Sequence, residues 1–203
     1  MITDPSILKA ITPVNLEVDY GRLARLMYMP GPEVFDEQLL GQLEKIRTWC
    51  VTHVEPQFGV RSLAIASIES QSVHTTNGAE IRTGRFFSNQ LRRSNATDVI
   101  IVGLTLGSGL SSHAKRLWDE GRVDESYLLS TCGAALTETL AAEIGLKLCQ
   151  WASDLGWSLL PQQGPGYNDW PTEYLTDLHK LAPRISVSLP YHLQEHYCRH
   201  IRY

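Results

Sequence analysis

The segment best suited to bind a ligand is the sequence GPGYNDWP at residues 164–171. Its glycines carry no side chain, so a ligand can approach the backbone closely. Pro165 fixes its own φ angle and lacks an amide hydrogen, which keeps the segment out of a regular helix. Tyr167 and Trp170 add two large amphipathic rings, and Asp169 adds a hydrogen-bond acceptor. This combination suits a flat nucleoside or a macrocycle, and the plain alternative is a surface turn with an aromatic plug.

Three residues near the C-terminal end could form part of a zinc site. His192, Glu195 and His196 form the sequence HxxEH, the inverted zinc-protease pattern. On a helix the two histidines would share one face and could bind Zn²⁺, with Glu195 as the general base. The third ligand and the wall of the site would have to come from elsewhere in the chain. A zinc hydrolase is therefore one alternative function, while an adventitious metal site and a polar, partly frayed terminus are the simpler interpretations.

Two weaker signals concern anions and acidic partners. The sequence GSG at residues 107–109 hints at a phosphate loop, but Ser112 stands where a dinucleotide fingerprint has its third glycine. A helix that begins here could still hold an anion, although a strand-to-helix turn is the simpler interpretation. Arg85, Arg92 and Arg93 form a small basic cluster that either faces solvent or meets an acidic partner.

Helices and strands that alternate irregularly would have to position these groups. The spacing of apolar residues predicts helices at residues 20–29, 33–54, 87–93, 111–120, 124–155 and 171–181. Strands are predicted at residues 61–68, 98–106, 157–160 and 184–189, with a hairpin at residues 72–82. Gly133 and Gly145 interrupt the longest helix at a cost of about 1 kcal/mol each, which predicts close packing of another element. The mixture favours an α+β fold over a regular βαβ succession.

The composition is that of an ordinary globular protein. The chain has 203 residues, 43% of them hydrophobic and 20% charged, with a formal net charge of −4. This balance predicts a single domain, with an N-terminal extension at residues 1–14 and a divergent C-terminal tail at residues 190–203. Without a basic footprint, nucleic acid is not expected as a partner. No apolar run has the roughly 18 residues of a membrane helix, so no membrane association is expected.

The cysteines and the N-terminal sequence predict a cytoplasmic protein. The four cysteines are scattered and form no CxxC pair, which is typical of reduced thiols. Cys132 and Cys149 are expected on a buried face of the long helix. Residues 1–16 lack the charged and apolar regions of a secretory signal.

In this order and spacing the motifs resemble those of a known family. The chain is similar to the reactivation domain of cobalamin-dependent methionine synthase, more closely to its small stand-alone versions, over about residues 15–188. The two best motifs are VGLTLG at residues 102–107 and PGYNDWP at residues 165–171. Neither motif is unique alone, but their order and spacing together are fairly specific.

The resemblance implies a fold and a function. The fold would be α+β, with a central, mainly antiparallel sheet flanked by helices. The domain would bind S-adenosylmethionine in a shallow groove and cover the cobalamin held by a partner. After an electron donor, for which a flavodoxin-like protein is one candidate, reduces the oxidised cofactor, S-adenosylmethionine would methylate it. The protein would then be an accessory of a cobalamin-binding methyltransferase, where its own task is positioning and the cofactor carries the chemistry.

Carried over by position, the resemblance also implies which residues bind the ligand. The acidic residue of the long helix matches Glu138, which would accept a charge-assisted hydrogen bond from the ligand amino group. The small residues match Gly164 and Gly166, on either side of Pro165, whose backbone would meet the ligand. Tyr167 belongs to the same turn and would help to present S-adenosylmethionine.

One position departs from the family pattern. The family has an arginine three residues before the proline of the loop, and this chain has Gln162 there. Glutamine donates hydrogen bonds but supplies no charge, so the ligand carboxylate would lose about 1.5–3 kcal/mol of interaction. S-adenosylmethionine binding is therefore expected to be weakened. A second functional alternative is a diverged binding or assembly factor that kept the fold and lost the ligand.

Overall fold

Two layers of helices cover the two faces of an antiparallel sheet. The structure, a computed structural model, describes residues 17–182 and the backbone of residues 198–202. Within these residues the strand order is β3-β2-β1-β4-β6-β5, and every neighbouring pair is antiparallel. This arrangement confirms the predicted α+β class. The strands are β1 (Gln57–Ile68), β2 (Ser72–Thr75), β3 (Glu80–Arg82), β4 (Asp98–Thr105), β5 (Leu159–Leu160) and β6 (Cys198–Arg202).

The described helices follow the predicted pattern closely. They are α1 (Tyr20–Leu26), α2 (Glu37–His53), α3 (Arg85–Arg93), α4 (Gly109–Asp119), α5 (Val123–Asp154) and α6 (Leu175–Leu181). Asp36 caps α2, since its carboxylate accepts a hydrogen bond of 2.7 Å from the amide of Leu39. The start predicted at residue 33 instead forms a separate short 3₁₀ turn, Pro32–Val34. A second 3₁₀ turn, Thr172–Tyr174, precedes α6 where a continuous helix from residue 171 was expected.

Strand β4 lies inside the sheet and is buried on both faces, which explains its continuous apolar run. Ile100 and Val102 pack in the cluster that contains the apolar side chains of α4 and α5. Val99 and Ile101 pack in a second cluster, together with side chains of α3 and α6 and with Trp170. Successive residues of a strand point to opposite faces, so the sheet separates α4 and α5 from α3, α6 and the loop at residues 164–171.

The long helix α5 packs against neighbours on two sides. Leu136, Leu140, Ile144 and Leu148 face the sheet cluster. Its other side contributes Leu128, Cys132 and Ala135 to a third cluster with apolar residues of α1 and α2. Such double coverage explains why the apolar pattern of the helix is broad rather than a narrow stripe.

Gly133 has the close neighbour that the sequence predicts. A Cβ atom at this position would lie 2.7 Å from Cδ2 of Leu110 on α4, closer than carbon atoms can approach. Leu110 is itself fully buried, so its side chain has little room to move. The glycine therefore allows α4 and α5 to pack in contact.

The hairpin of β2 and β3 confirms another prediction. Ser72 pairs with Arg82 and His74 with Glu80, so that Asn77 and Gly78 occupy the turn. Gly78 has a φ of +83°, a left-handed conformation that glycine adopts without strain.

The C-terminal residues include a strand that the sequence did not predict. The backbone of Cys198–Arg202 pairs with β4 on one side and β5 on the other, so the expectation of a frayed terminus is wrong for these five residues. Without this strand one edge of the buried strand β4 would have no hydrogen-bond partners. The predicted strand at residues 184–189, the extension at residues 1–14 and the HxxEH sequence lie outside the described residues.

Among the residues that the structure describes, no helix combines the length and the apolar character needed to cross a membrane.

Candidate functional site

The loop at residues 164–171 is closed on itself by three backbone hydrogen bonds. The amide of Tyr167 donates to the carbonyl of Gly164 at 3.1 Å, and that of Trp170 donates to the carbonyl of Tyr167 at 3.0 Å. The amide of Gly166 donates to the carbonyl of Trp170 at 2.8 Å, and Gly166 has a φ of +92°. The loop is therefore a tight, internally bonded turn, which makes its shape rigid.

Asp169 anchors the loop to the start of α3. Both of its carboxylate oxygens accept a hydrogen bond from the backbone amide of Phe86, at 3.1 and 3.2 Å. The residue at the N-cap of α3 is Gly84, which has no side chain to fill this role. A side chain at position 84 would also collide with Asp169. The acceptor that the sequence offered to a ligand thus serves as the cap of a neighbouring helix.

The two rings of the loop have different environments. Trp170 is only 3% exposed and packs against Phe87, with 4.8 Å between the ring centroids. It belongs to the core, so the aromatic-plug interpretation is correct for this ring. Tyr167 is 52% exposed. Phe86, whose amide meets Asp169, is 46% exposed and adds a second accessible ring beside the loop.

Glu138 is occupied by partners inside the protein. Its carboxylate accepts a hydrogen bond of 2.6 Å from Nη2 of Arg25, and Nη1 of Arg22 lies 3.5 Å away. Both arginines come from α1, and the Glu138 side chain is 21% exposed. The ion pairs of Glu138 with Arg22 and Arg25 connect the N-terminal helix α1 to α5.

The structure does not bring Glu138 and the loop into one site, which corrects the expectation that they share a groove. Glu138 lies on α5, whose apolar residues pack on the Ile100 and Val102 face of the sheet. The loop packs through Trp170 on the opposite face, formed by Val99 and Ile101. Helical spacing predicts that Glu138 is on α5, but it does not show which neighbouring element the side chain faces.

The remaining predicted ligand residues stay together. Gln162, Gly164, Pro165, Gly166 and Tyr167 lie within six consecutive positions of the chain; Gly164 is buried, while Gly166 and Tyr167 are exposed. The loop is braced once more on its surface, where the Asn168 amide donates to Oε1 of Gln163 at 2.9 Å.

A basic surface adjoins the loop. Helix α3 has the sequence RFFSNQLRR and contains no acidic residue. Arg85, Arg92 and Arg93 are exposed, and Arg92 donates a hydrogen bond of 3.1 Å to the Asn89 side chain. Arg85 and Arg93 form no ion pair within the described part of the chain. We call Tyr167, Phe86 and these three arginines the docking surface.

Phe86 is the residue of this surface that sequence reasoning missed. The signal was present, because a helix that starts directly after Gly84 lacks a capping side chain and needs a distant acceptor. The sequence did not show that Asp169 would supply it.

Two buried cysteines, Cys50 and Cys132, are unsuited to nucleophilic chemistry. Burial raises the pKa of the Cys50 thiol to about 11 and that of Cys132 to about 12, which keeps both thiols protonated. Cys149 is exposed, so its predicted place on a buried face is wrong, whereas that of Cys132 is correct. No group of three or more histidine, cysteine or acidic side chains in the described ranges is arranged to hold a metal ion. The zinc alternative concerns residues outside these ranges and stays a prediction.

No known family model matches the chain, and no curated protein matches its sequence.

Proposed function

We propose that the protein is an accessory binding module of a cobalamin-dependent methyltransferase of the methionine synthase type. It docks through its docking surface on the partner that carries the corrinoid, in the cytoplasm, and so contributes to methionine biosynthesis. Two independent features support this function: the order of the sequence motifs and the properties of the surface beside the loop at residues 164–171. The observation that carries it is the rigid loop, fixed by Asp169 to α3, which leaves two aromatic rings and three arginines accessible.

Rigidity supports a role in binding. The loop has three internal hydrogen bonds, an anchor at Phe86 and a buried ring at Trp170. A surface that already has its bound shape loses little conformational freedom when a partner arrives. The affinity of such a surface then depends mainly on the groups that it exposes.

The exposed rings and arginines of the docking surface fit a partner that has a flat apolar patch surrounded by acidic groups. Tyr167 and Phe86 are half exposed, and aromatic rings are enriched at the energetic centres of interfaces. Such rings can cover the face of a corrin macrocycle. Arg85 and Arg93, which form no ion pair among the described residues, gain most from acidic groups on the other protein.

A second candidate function is the presentation of S-adenosylmethionine by the loop alone. It is supported by the closeness of Gln162, Gly164 and Gly166 in the chain to Tyr167 of the docking surface. Glu138 takes no part in this version, since its carboxylate is bound to Arg25 across the molecule. A flavodoxin-like protein would serve as the electron donor in the reductive step.

The docking function is tested with a methionine synthase fragment that lacks its own reactivation domain and carries cob(II)alamin. We expect the wild-type protein to bind this fragment in interferometry. Tyr167→Ala and Phe86→Ala should each weaken binding about tenfold, the effect of losing an interfacial aromatic anchor. Tyr28→Ala is the control, because Tyr28 is 97% exposed but follows α1 on the other side of the sheet. Absence of binding, or equal losses in all three variants, would refute the docking function.

The second candidate is separated from the first by calorimetry with S-adenosylmethionine. If the loop presents this ligand, Gln162→Arg should tighten binding about tenfold or more, because it restores a charged contact to the carboxylate. Glu138→Gln should leave the affinity unchanged. Lack of any heat at millimolar ligand with both wild type and Gln162→Arg would leave only the docking function.

A further inference from the structure

A cavity of about 290 Å³ lies between the end of α2 and the start of α4, away from the docking surface. The residues that line it include one indole, two imidazoles, one guanidinium and one hydroxyl group. They are Trp49, His53, Gly109, Ser112, His113 and Arg116. None of these residues takes part in the proposed docking function.

The rings in the cavity are held in place by stacking. The imidazole of His53 stacks on Trp49 with 4.5 Å between centroids and an interplanar angle of 3°. The imidazole of His113 stacks on the same indole at 4.6 Å and 26°. Trp49 therefore fixes two titratable rings from different helices in one cluster.

Hydrogen bonds hold both imidazoles in place and determine the tautomer of the His113 ring. Nδ1 of His53 lies 2.6 Å from the hydroxyl oxygen of Thr52 and 2.9 Å from the carbonyl oxygen of Trp49. Nδ1 of His113 lies 2.7 Å from Nη2 of Arg116, which can only donate, so Nδ1 of His113 accepts. The proton of the neutral His113 ring is therefore on Nε2, which becomes a donor for a further partner.

His113 is surrounded by charges of both signs. Burial lowers the pKa of His113, and the positive charges of Arg116, Arg122 and His53 lower it further, while Glu120 opposes them. Arg122 is neutralised by Glu120 and Glu125, and Nε of Arg116 lies 3.9 Å from Glu120 in an exposed pair. Arg116 lines the cavity and its exposed pair with Glu120 is long, so its guanidinium can pair with an anion there.

We propose that this cavity binds a small phosphate monoester. The phosphate group accepts hydrogen bonds from Arg116, from Nε2–H of His113 and from the hydroxyl of Ser112, which are donors of three different kinds suited to a multivalent oxyanion. The Trp49 and His53 rings offer apolar contact to the organic part of the ester. The cavity is slightly smaller than the usual range of ligand pockets, which limits the ester to a few carbon atoms or one ring.

The affinity test uses phenyl phosphate and inorganic phosphate at constant ionic strength, followed by tryptophan fluorescence. Trp49→Phe identifies the part of the signal that comes from Trp49 among the five tryptophans. Arg116→Ala should weaken phenyl phosphate binding at least about tenfold, since a charge-assisted bond is lost. Lys115→Ala is the matched control, because Lys115 is an exposed cation of the same helix that pairs with Asp119. Equal losses in both variants, or no saturable signal, would overturn the site.

Two further readouts separate a specific site from general charge. Histidine NMR should show the pKa of His113 rising when phenyl phosphate saturates the protein, because the bound dianion stabilises the imidazolium. His113→Gln should retain part of the affinity that His113→Ala loses, since the amide nitrogen can replace Nε2–H as donor. An unchanged pKa of His113 would contradict the proposal. Inorganic phosphate binding as tightly as phenyl phosphate would overturn the assignment of a monoester.

Discussion

Asp169 illustrates how one residue of a ligand-like motif can serve the fold. Its carboxylate caps α3 across the chain and fixes the loop at residues 164–171 in one position. Glu138 is a second example, because its expected ligand contact is replaced by Arg25 and Arg22 of α1. Both residues are polar in sequence and could bind a ligand, but only the structure shows which partner each one has. Prediction from residue type alone therefore assigned to the candidate site two residues that bind partners within the protein.

We predict that Asp169→Ala destabilises the protein by about 1 kcal/mol, the usual cost of removing a helix cap. The free energy of unfolding from urea denaturation measures the effect. Asp119→Ala is the control, since Asp119 only forms an exposed pair with Lys115 and should cost at most about 0.5 kcal/mol. Equal effects of the two substitutions would mean that Asp169 does not act as a cap.

At the scale of elements, local signals predicted most helices and strands. The Asn77-Gly78 turn, the apolar run of β4 and the long pattern of α5 are each specified by residues close in sequence. Long-range pairing was not predicted: the strand at Cys198–Arg202 forms its hydrogen bonds with β4 and β5, which are distant in sequence. The placement of α5 between the sheet and α1 likewise depends on contacts across more than one hundred positions, which no spacing rule contains.

Alanine substitutions at two helical glycines should change the stability of the protein in opposite directions. Gly133→Ala should destabilise the protein by about 1–3 kcal/mol, because the new methyl group would overlap with the buried Leu110 side chain. Gly41→Ala in α2 should stabilise it by up to about 1 kcal/mol, since a Cβ there meets nothing within 4 Å and alanine favours the helix. Thermal or urea unfolding of both variants measures the difference, and stabilisation by Gly133→Ala would contradict the packing of α4 on α5.

At the scale of the whole molecule, charge is unevenly distributed. The chain has a formal net charge of −4, yet α3 carries three arginines and no acid. The sheet separates this basic helix from Glu138 on α5 and from α4, which lines the proposed phosphate cavity together with α2. The two proposed functions thus belong to different surfaces and can be tested independently.

We predict that association with the cobalamin-carrying fragment slows as ionic strength rises, because the exposed arginines of α3 attract an acidic partner over a distance. The double substitution Arg85→Glu and Arg93→Glu should lower the association rate about tenfold or more and remove most of the salt dependence. The double substitution Arg47→Glu and Lys115→Glu is the control with the same change in net charge, since Arg47 pairs with Glu44 on α2 and Lys115 pairs with Asp119 on α4. Equal slowing by the control would show that only net charge matters.

The central claim, that the loop and α3 form one docking surface, is tested most directly by hydrogen–deuterium exchange of the free and the partner-bound protein. With the cob(II)alamin-carrying fragment bound, we predict slower exchange in peptides covering residues 85–93 and 164–170, and unchanged exchange in peptides covering residues 20–28. Protection of residues 20–28 around Arg25 and Glu138, with residues 85–93 and 164–170 unchanged, would contradict the account.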